Sequence, residues 1–144
     1  MRCCTIASTL AFLLLFCGFA VAGETAPLCT SEQAKKAEAE ADQLREWNAV
    51  YRSFVRFGHC DDGAIAEGYS DSVARLLANH WAQIQDLRKL TTKSPEFSNF
   101  VLRHVDELMS PDEAKLIEQN ARLRCPANGK PLCQSILEQL KKTR

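Results

Sequence analysis

The sequence predicts an all-α domain, a compact bundle of about five helices braced by disulfides. Three observations predict it. No stretch sustains the apolar/polar alternation of a half-buried strand. Several segments instead repeat large apolar residues at i, i+3, i+4 and i+7, as Trp47, Val50, Tyr51 and Phe54 do. Two such segments open on Ser-Pro followed by acidic residues, Ser94-Pro95-Glu96 and Ser110-Pro111-Asp112-Glu113, the composition of a helix N-terminus.

The chain has 144 residues, with 18 basic against 18 acidic side chains. That length fits one domain, and the even balance excludes the basic excess of a dedicated nucleic-acid binder. Arg2, the apolar core Leu10-Ala-Phe-Leu-Leu-Leu-Phe16 and the small-x-small triplet Ala20-Val21-Ala22 read as a cleavable signal peptide over residues 1–22. Export to the periplasm or the medium is expected, with no stable membrane insertion after cleavage. Removal of the leader discards Cys3, Cys4 and Cys17 of the seven cysteines and leaves four. An even number in an oxidising compartment suggests two disulfides.

Residues 23–46 form an Ala/Glu/Lys-rich lead that starts the first helix, and residues 47–144 form the helical core domain. The first helix is expected from Ser31 to Phe57. Its opening half has helix propensity but no large apolar side chain, so it should lie loosely on the surface. Gly58 then stands where a helix-ending glycine belongs. Asp61 or Asp62 caps a short turn before Gly68, and Ser70 or Asp71 re-caps a second helix. Its stripe is Tyr69, Val73, Leu76, Leu77, His80, Ile84 and Leu87, flanked by Trp81. The third helix opens at Ser94 and turns Phe97, Phe100, Val101, His104, Val105 and Leu108 to one face. The fourth opens at Ser110, whose hydroxyl and Glu113 make a capping box, with Leu116, Ile117 and Leu123 as its apolar side. After the break at Pro126–Gly129 a last helix runs from Pro131 to Lys142 through Ile136, Leu137 and Leu140.

The four cysteines allow three pairings. An unbroken helix of about 26 residues between Cys29 and Cys60 would hold its ends about 39 Å apart, whereas a disulfide needs α-carbons within about 7 Å. Cys125 and Cys133 flank a short Pro/Gly corner and are the slightly preferred pair. That choice obliges Cys29 to meet Cys60, and therefore requires the first helix to break or start late. The crossed pairings of Cys60 with Cys125 or Cys133 stay open.

Chemistry is sparse. The densest polar segment is His59–Asp71, in which Asp61, Asp62, Glu67, Tyr69 and Asp71 are the candidate partner-binding residues. Helix capping alone accounts for Asp61, Asp62 and Asp71, and accounts less well for Glu67 and Tyr69. The spacing of the acids lacks the Asp-x-Asp-x-Asp-Gly loop of a calcium site. His59, His80 and His104 are far apart in sequence, with the last two on apolar helix faces, so no metal and no cofactor is expected. No G-x-S-x-G or His-Glu-x-x-His motif is present, and an enzyme is not expected.

The Tyr51–Cys60 helix end, the acidic and small run after it, and Ser72-Val-Ala-Arg-Leu-Leu-x-x-x-Trp81 together resemble the small periplasmic immunity proteins that neutralise type VI secretion amidase effectors. The resemblance implies an exported all-helical inhibitor of a secreted hydrolase, with another protein as partner. The alternatives are a helical module enclosing a lipid or small apolar molecule among Trp47, Phe54, Trp81, Phe97 and Phe100, or a structural envelope protein without catalysis.

Overall fold

A computed structural model describes residues 28–143; the expected signal peptide lies outside them. Seven α-helices, and no strand, occur among the described residues: α1 (Ser31–Ala41), α2 (Trp47–Phe57), α3 (Gly63–Asn79), α4 (Ile84–Lys93), α5 (Pro95–Arg103), α6 (Pro111–Leu123) and α7 (Lys130–Lys142). The all-α class is as expected, but seven helices stand where five were read. Two of the expected helices are each divided by a short break.

The first division separates α1 from α2. Thr30 opens α1 with a capping box, its hydroxyl accepting from the Gln33 amide while the Gln33 side chain returns to Thr30. The helix stops because α3 supplies competing donors. Ser72 Oγ donates to the Ala41 carbonyl at 2.6 Å, and Arg75 donates to the Asp42 carbonyl at 2.7 Å. Leu44 tucks into the core within the break. The chain then reverses, and Cys29 bonds Cys60 with α-carbons 5.0 Å apart. Cys125 bonds Cys133 across the corner before α7.

Nor is α1 loosely held. Ala37 and Ala41 are fully buried, and the small side chains admit α3 closely. A β-carbon on Gly68 would stand 2.9 Å from Ala41 Cβ. Gly68 is therefore a packing position inside a continuous α3, not the boundary expected from sequence. The start of α3 lies earlier, at Gly63, whose φ of +52° suits glycine and whose amide donates to the Asp62 carboxylate. Gly58 ends α2 with φ −59°, so left-handed freedom is not its purpose. A β-carbon there would meet the Phe54 ring at 2.9 Å.

The second division falls at His80, between α3 and α4. Asn120 of α6 donates to the Leu77 and Ala78 carbonyls, and Trp81 Nε1 donates to the Arg124 carbonyl. His80 itself is exposed, contrary to its expected place on the apolar stripe. Helix α5 also ends early, at Arg103, and Leu108 stands 60% exposed instead of facing the core with Phe97, Phe100, Val101 and Val105. The capping box of α6 forms as expected from Ser110 and Glu113. Of its expected apolar side only Ile117 is buried, while Leu116 and Leu123 are exposed.

The core is aromatic at its centre. Tyr51 and Phe54 of α2 meet Phe97 at ring distances of 5.0 and 5.4 Å, and Phe54 and Tyr69 reach Phe100 at 4.9 and 5.0 Å. These rings pack on one another, which is how aromatic side chains fill a protein interior. No helix among the described residues is long and apolar enough to cross a membrane.

Candidate functional site

The five residues singled out from sequence separate by depth. Tyr69 is fully buried, so the expectation that it is a surface contact is corrected. Its hydroxyl pairs with Ser53 Oγ at 2.7 Å, and Ser53 in turn donates to Glu40 at 2.7 Å. Burial pushes the Tyr69 phenol above its ordinary range, and the Ser53 hydrogen bond offsets this only in part. Glu40 is held from outside by Arg56 at 2.8 Å. The chain of contacts ties α1, α2 and α3 together beneath the surface.

Asp61 is also an interior group, its side chain 9% exposed. Desolvation raises its carboxyl, but His104 and Arg103 outweigh that and hold it below the usual carboxylate range. Arg103 lies 3.0 Å away and His104 Nε2 3.2 Å away. On its other edge, His104 Nδ1 is 3.0 Å from Ser70 Oγ, which donates to Asp106 Oδ2 at 2.6 Å. Ser70 has a single hydroxyl proton and directs it to Asp106, so the ring is the donor in the His104–Ser70 contact. The order Asp61, His104, Ser70 contains the residue types of a nucleophile relay. It is not arranged as one: Ser70 is 2% exposed and lies within α3, with its hydroxyl committed to a carboxylate. What the network does is position. Asp106 Oδ1 accepts the Leu108 amide at 2.9 Å, so His104, Ser70 and Asp106 set the turn between α5 and α6 against α3.

That turn and α3 enclose a surface groove. Its cavity of about 200 Å³ is lined by Glu67, Ser70, Asp71, Ala74, Leu108, Met109 and Glu113, and no basic side chain lines it. Asp71 pairs with Arg75 one turn on, and Glu113 accepts from the Ser110 amide and hydroxyl. Glu67 is exposed and has no hydrogen-bond or ion-pair partner among the described residues. Asp62 caps α3 at its start and does not line this cavity. The structure thus brings Glu67 and Asp71 together and sets Asp61 and Tyr69 below, within the fold.

Sequence reasoning did not find Leu108, Met109 or Glu113. Leu108 fitted the apolar spacing of the preceding helix, and Glu113 was accounted for by the capping box it does form. Among the described residues no three His, Cys, Asp or Glu side chains gather closely enough to hold a metal ion.

Fold and groove together define a disulfide-braced helical domain with an acidic, partly apolar recess between α3 and the start of α6. Comparisons with protein-family models, with curated proteins and with solved structures find no match to this chain.

Proposed function

We propose that this chain is an exported helical binding protein whose acidic groove docks a basic, partly apolar segment of another protein, a secreted hydrolase or effector that it restrains. The observation that carries the reading is the unpartnered Glu67 beside the exposed Leu108, in a recess lined by acids and by no basic side chain, with Asp71 alone ion-paired, to Arg75 outside the lining. An exposed carboxylate costs little to leave in water. One that also borders an apolar contact gives a partner both a charge to pair and a surface to dehydrate. Two disulfides fit an oxidising compartment and keep the scaffold rigid. An inhibitor of the immunity-protein type needs such a scaffold and no catalytic set of its own.

The test takes purified candidate secreted hydrolases from the same organism and measures their activity with and without the oxidised protein. Inhibition is expected. Glu67→Lys should weaken it about tenfold or more, chiefly by slowing association, and the effect should shrink at high salt. Glu38→Lys, on the exposed outside of α1, should leave inhibition unchanged. If Glu67→Ala, Asp71→Ala and Leu108→Ala each leave inhibition intact, the groove is not the contact surface.

A further inference from the structure

A second recess lies elsewhere on the molecule, among α4, α5 and α7. Its cavity of about 220 Å³ is lined by Arg88, Thr91 and Thr92 of α4, Ser98 of α5, Asn128 before α7, and Ser135 within it, with no carboxylate. The orientation of its polar groups follows from one residue outside the lining, Gln85. Arg88 Nε donates to Gln85 Oε1 at 2.9 Å, and Gln85 Nε2 donates to Asn128 Oδ1 at 2.9 Å. A guanidinium has donors only, so the Gln85 oxygen must be the end that faces Arg88. Its amide nitrogen then faces Asn128, and the Asn128 oxygen must receive it. Gln85 therefore occupies one lone pair of the Asn128 oxygen and a single N–H of Arg88. The Asn128 amide NH₂ and the two terminal guanidinium nitrogens are left without a protein partner among the described residues, as is the Ser98 hydroxyl. Arg88 makes no ion pair there either.

The hydroxyls of Thr91, Thr92 and Ser135 donate to backbone carbonyls of their own helices, which leaves their oxygens able only to accept, so they are not contacts for an oxyanion. The free donors among the lining residues are the guanidinium fork of Arg88, the Asn128 amide NH₂ and the Ser98 hydroxyl, drawn from three separate parts of the chain. A cationic fork joined by two further free donors is the chemistry that recognises a tetrahedral oxyanion. We infer that this recess binds the phosphate or sulfate group of a small molecule, with Arg88, Asn128 and Ser98 as contacts and Gln85 as the residue that positions two of them. The volume is below the roughly 300–1,000 Å³ of pockets for drug-sized ligands, so the group is carried on a small molecule or is the free ion.

The experiment is a titration of the isotope-labelled oxidised protein with inorganic phosphate at constant ionic strength, followed by amide and side-chain NMR shifts. Saturable shifts are expected at the Asn128 side-chain NH₂, at Ser98 and at the Arg88 guanidinium. Arg88→Gln should weaken binding about tenfold or more, and Asn128→Asp, which sets a carboxylate among the donors, should weaken it at least as much. Gln85→Ala, which touches no ligand, should weaken it less while leaving the stoichiometry at one. A parallel titration with glycerol 3-phosphate distinguishes the sources: tighter binding assigns the site to a phosphate ester, and equal binding to the free oxyanion. Shifts that stay linear to about 10 mM and spread over all basic side chains would overturn the site. So would saturable binding that both Arg88→Gln and Asn128→Asp leave unchanged.

Discussion

Gly68→Ala separates a close-packed helix glycine from one with open space beside it, because the two predict opposite signs. If Gly68 lay in an open helix with room for a methyl, alanine would stabilise the protein by up to about 1 kcal/mol through helix propensity. In the structure the added methyl would lie 2.9 Å from Ala41 Cβ, 3.1 Å from the Asp42 amide nitrogen and 3.3 Å from the Ala41 carbonyl carbon. Two of those three atoms are backbone and cannot rotate aside. Helix α1 cannot easily retreat either, since Ser72 and Arg75 hold the Ala41 and Asp42 carbonyls and Cys29 is bonded to Cys60. Overpacking a site of this kind costs about 1–3 kcal/mol, and the immobile neighbours place it toward the upper end. After the propensity gain, a net loss of about 1–2 kcal/mol is expected. Urea unfolding of the oxidised protein, followed by far-ultraviolet circular dichroism, should show a midpoint lower by about 0.5–1 M with an unchanged slope. A midpoint equal to or above that of the parent would refute the close contact of α1 with α3.

The two disulfides should differ in worth. They span 31 and 8 residues, and chain entropy alone assigns about 3.7 kcal/mol to Cys29–Cys60 and about 2.5 kcal/mol to Cys125–Cys133; denaturant unfolding of the paired serine variants checks the order. Ser53→Ala should destabilise more than Tyr69→Phe, by about 1–2 kcal/mol, because it leaves the buried Tyr69 hydroxyl without its partner, whereas Tyr69→Phe leaves Ser53 bonded to Glu40. Equal thermal midpoints would contradict that chain. Asp61, held below its ordinary range by His104 and Arg103, contributes stability that is complete above the unfolded carboxyl value near 3.9 and is lost as pH falls through its lower folded value. Asp61→Asn should therefore flatten the acid limb of the stability–pH curve, and an unchanged limb would show that the pairing is not energetically significant.

Much of the fold is legible where the determinants are local. Ser94, Ser110 and Glu113 cap the helices that their sequence announces, and the even cysteine count among residues 28–143 matches the two observed disulfides. What is not legible depends on donors from distant segments. The break after Ala41 is made by Ser72 and Arg75, about 30 residues on, and the end of α3 is bound by Asn120. Neither segment carries a proline or a left-handed glycine at the break, so periodicity reads straight through both. The candidate site follows the same division. Glu67 and Asp71 lie one helical turn apart and are visible as a pair, whereas Leu108 and Glu113 join them only because His104 and Asp106 fix the intervening turn against α3. Tyr69 sits between those two acids in sequence, yet on a helix it points inward, toward Ser53 and Phe100.

The equal totals of acidic and basic residues conceal a separation that only the fold exposes. One recess contains Glu67, Asp71 and Glu113 and no base; the other contains Arg88 and amide and hydroxyl groups and no acid. Helix α5 serves both, carrying Ser98 to the recess that holds Arg88 and leading directly into His104, which orients the turn of the acidic one. Net charge governs solubility and long-range repulsion, which here are undemanding. Recognition depends on local fields inside a Debye length of about 8–10 Å, and with Asp71 already paired to Arg75 the uncompensated charge of the acidic recess rests chiefly on Glu67. Under the proposed readings, a neutral chain of this kind would take a basic protein segment and a small oxyanion at different places on one scaffold. Charge-reversal at Glu67 and charge removal at Arg88 should accordingly act on different ligands, each without effect on the other.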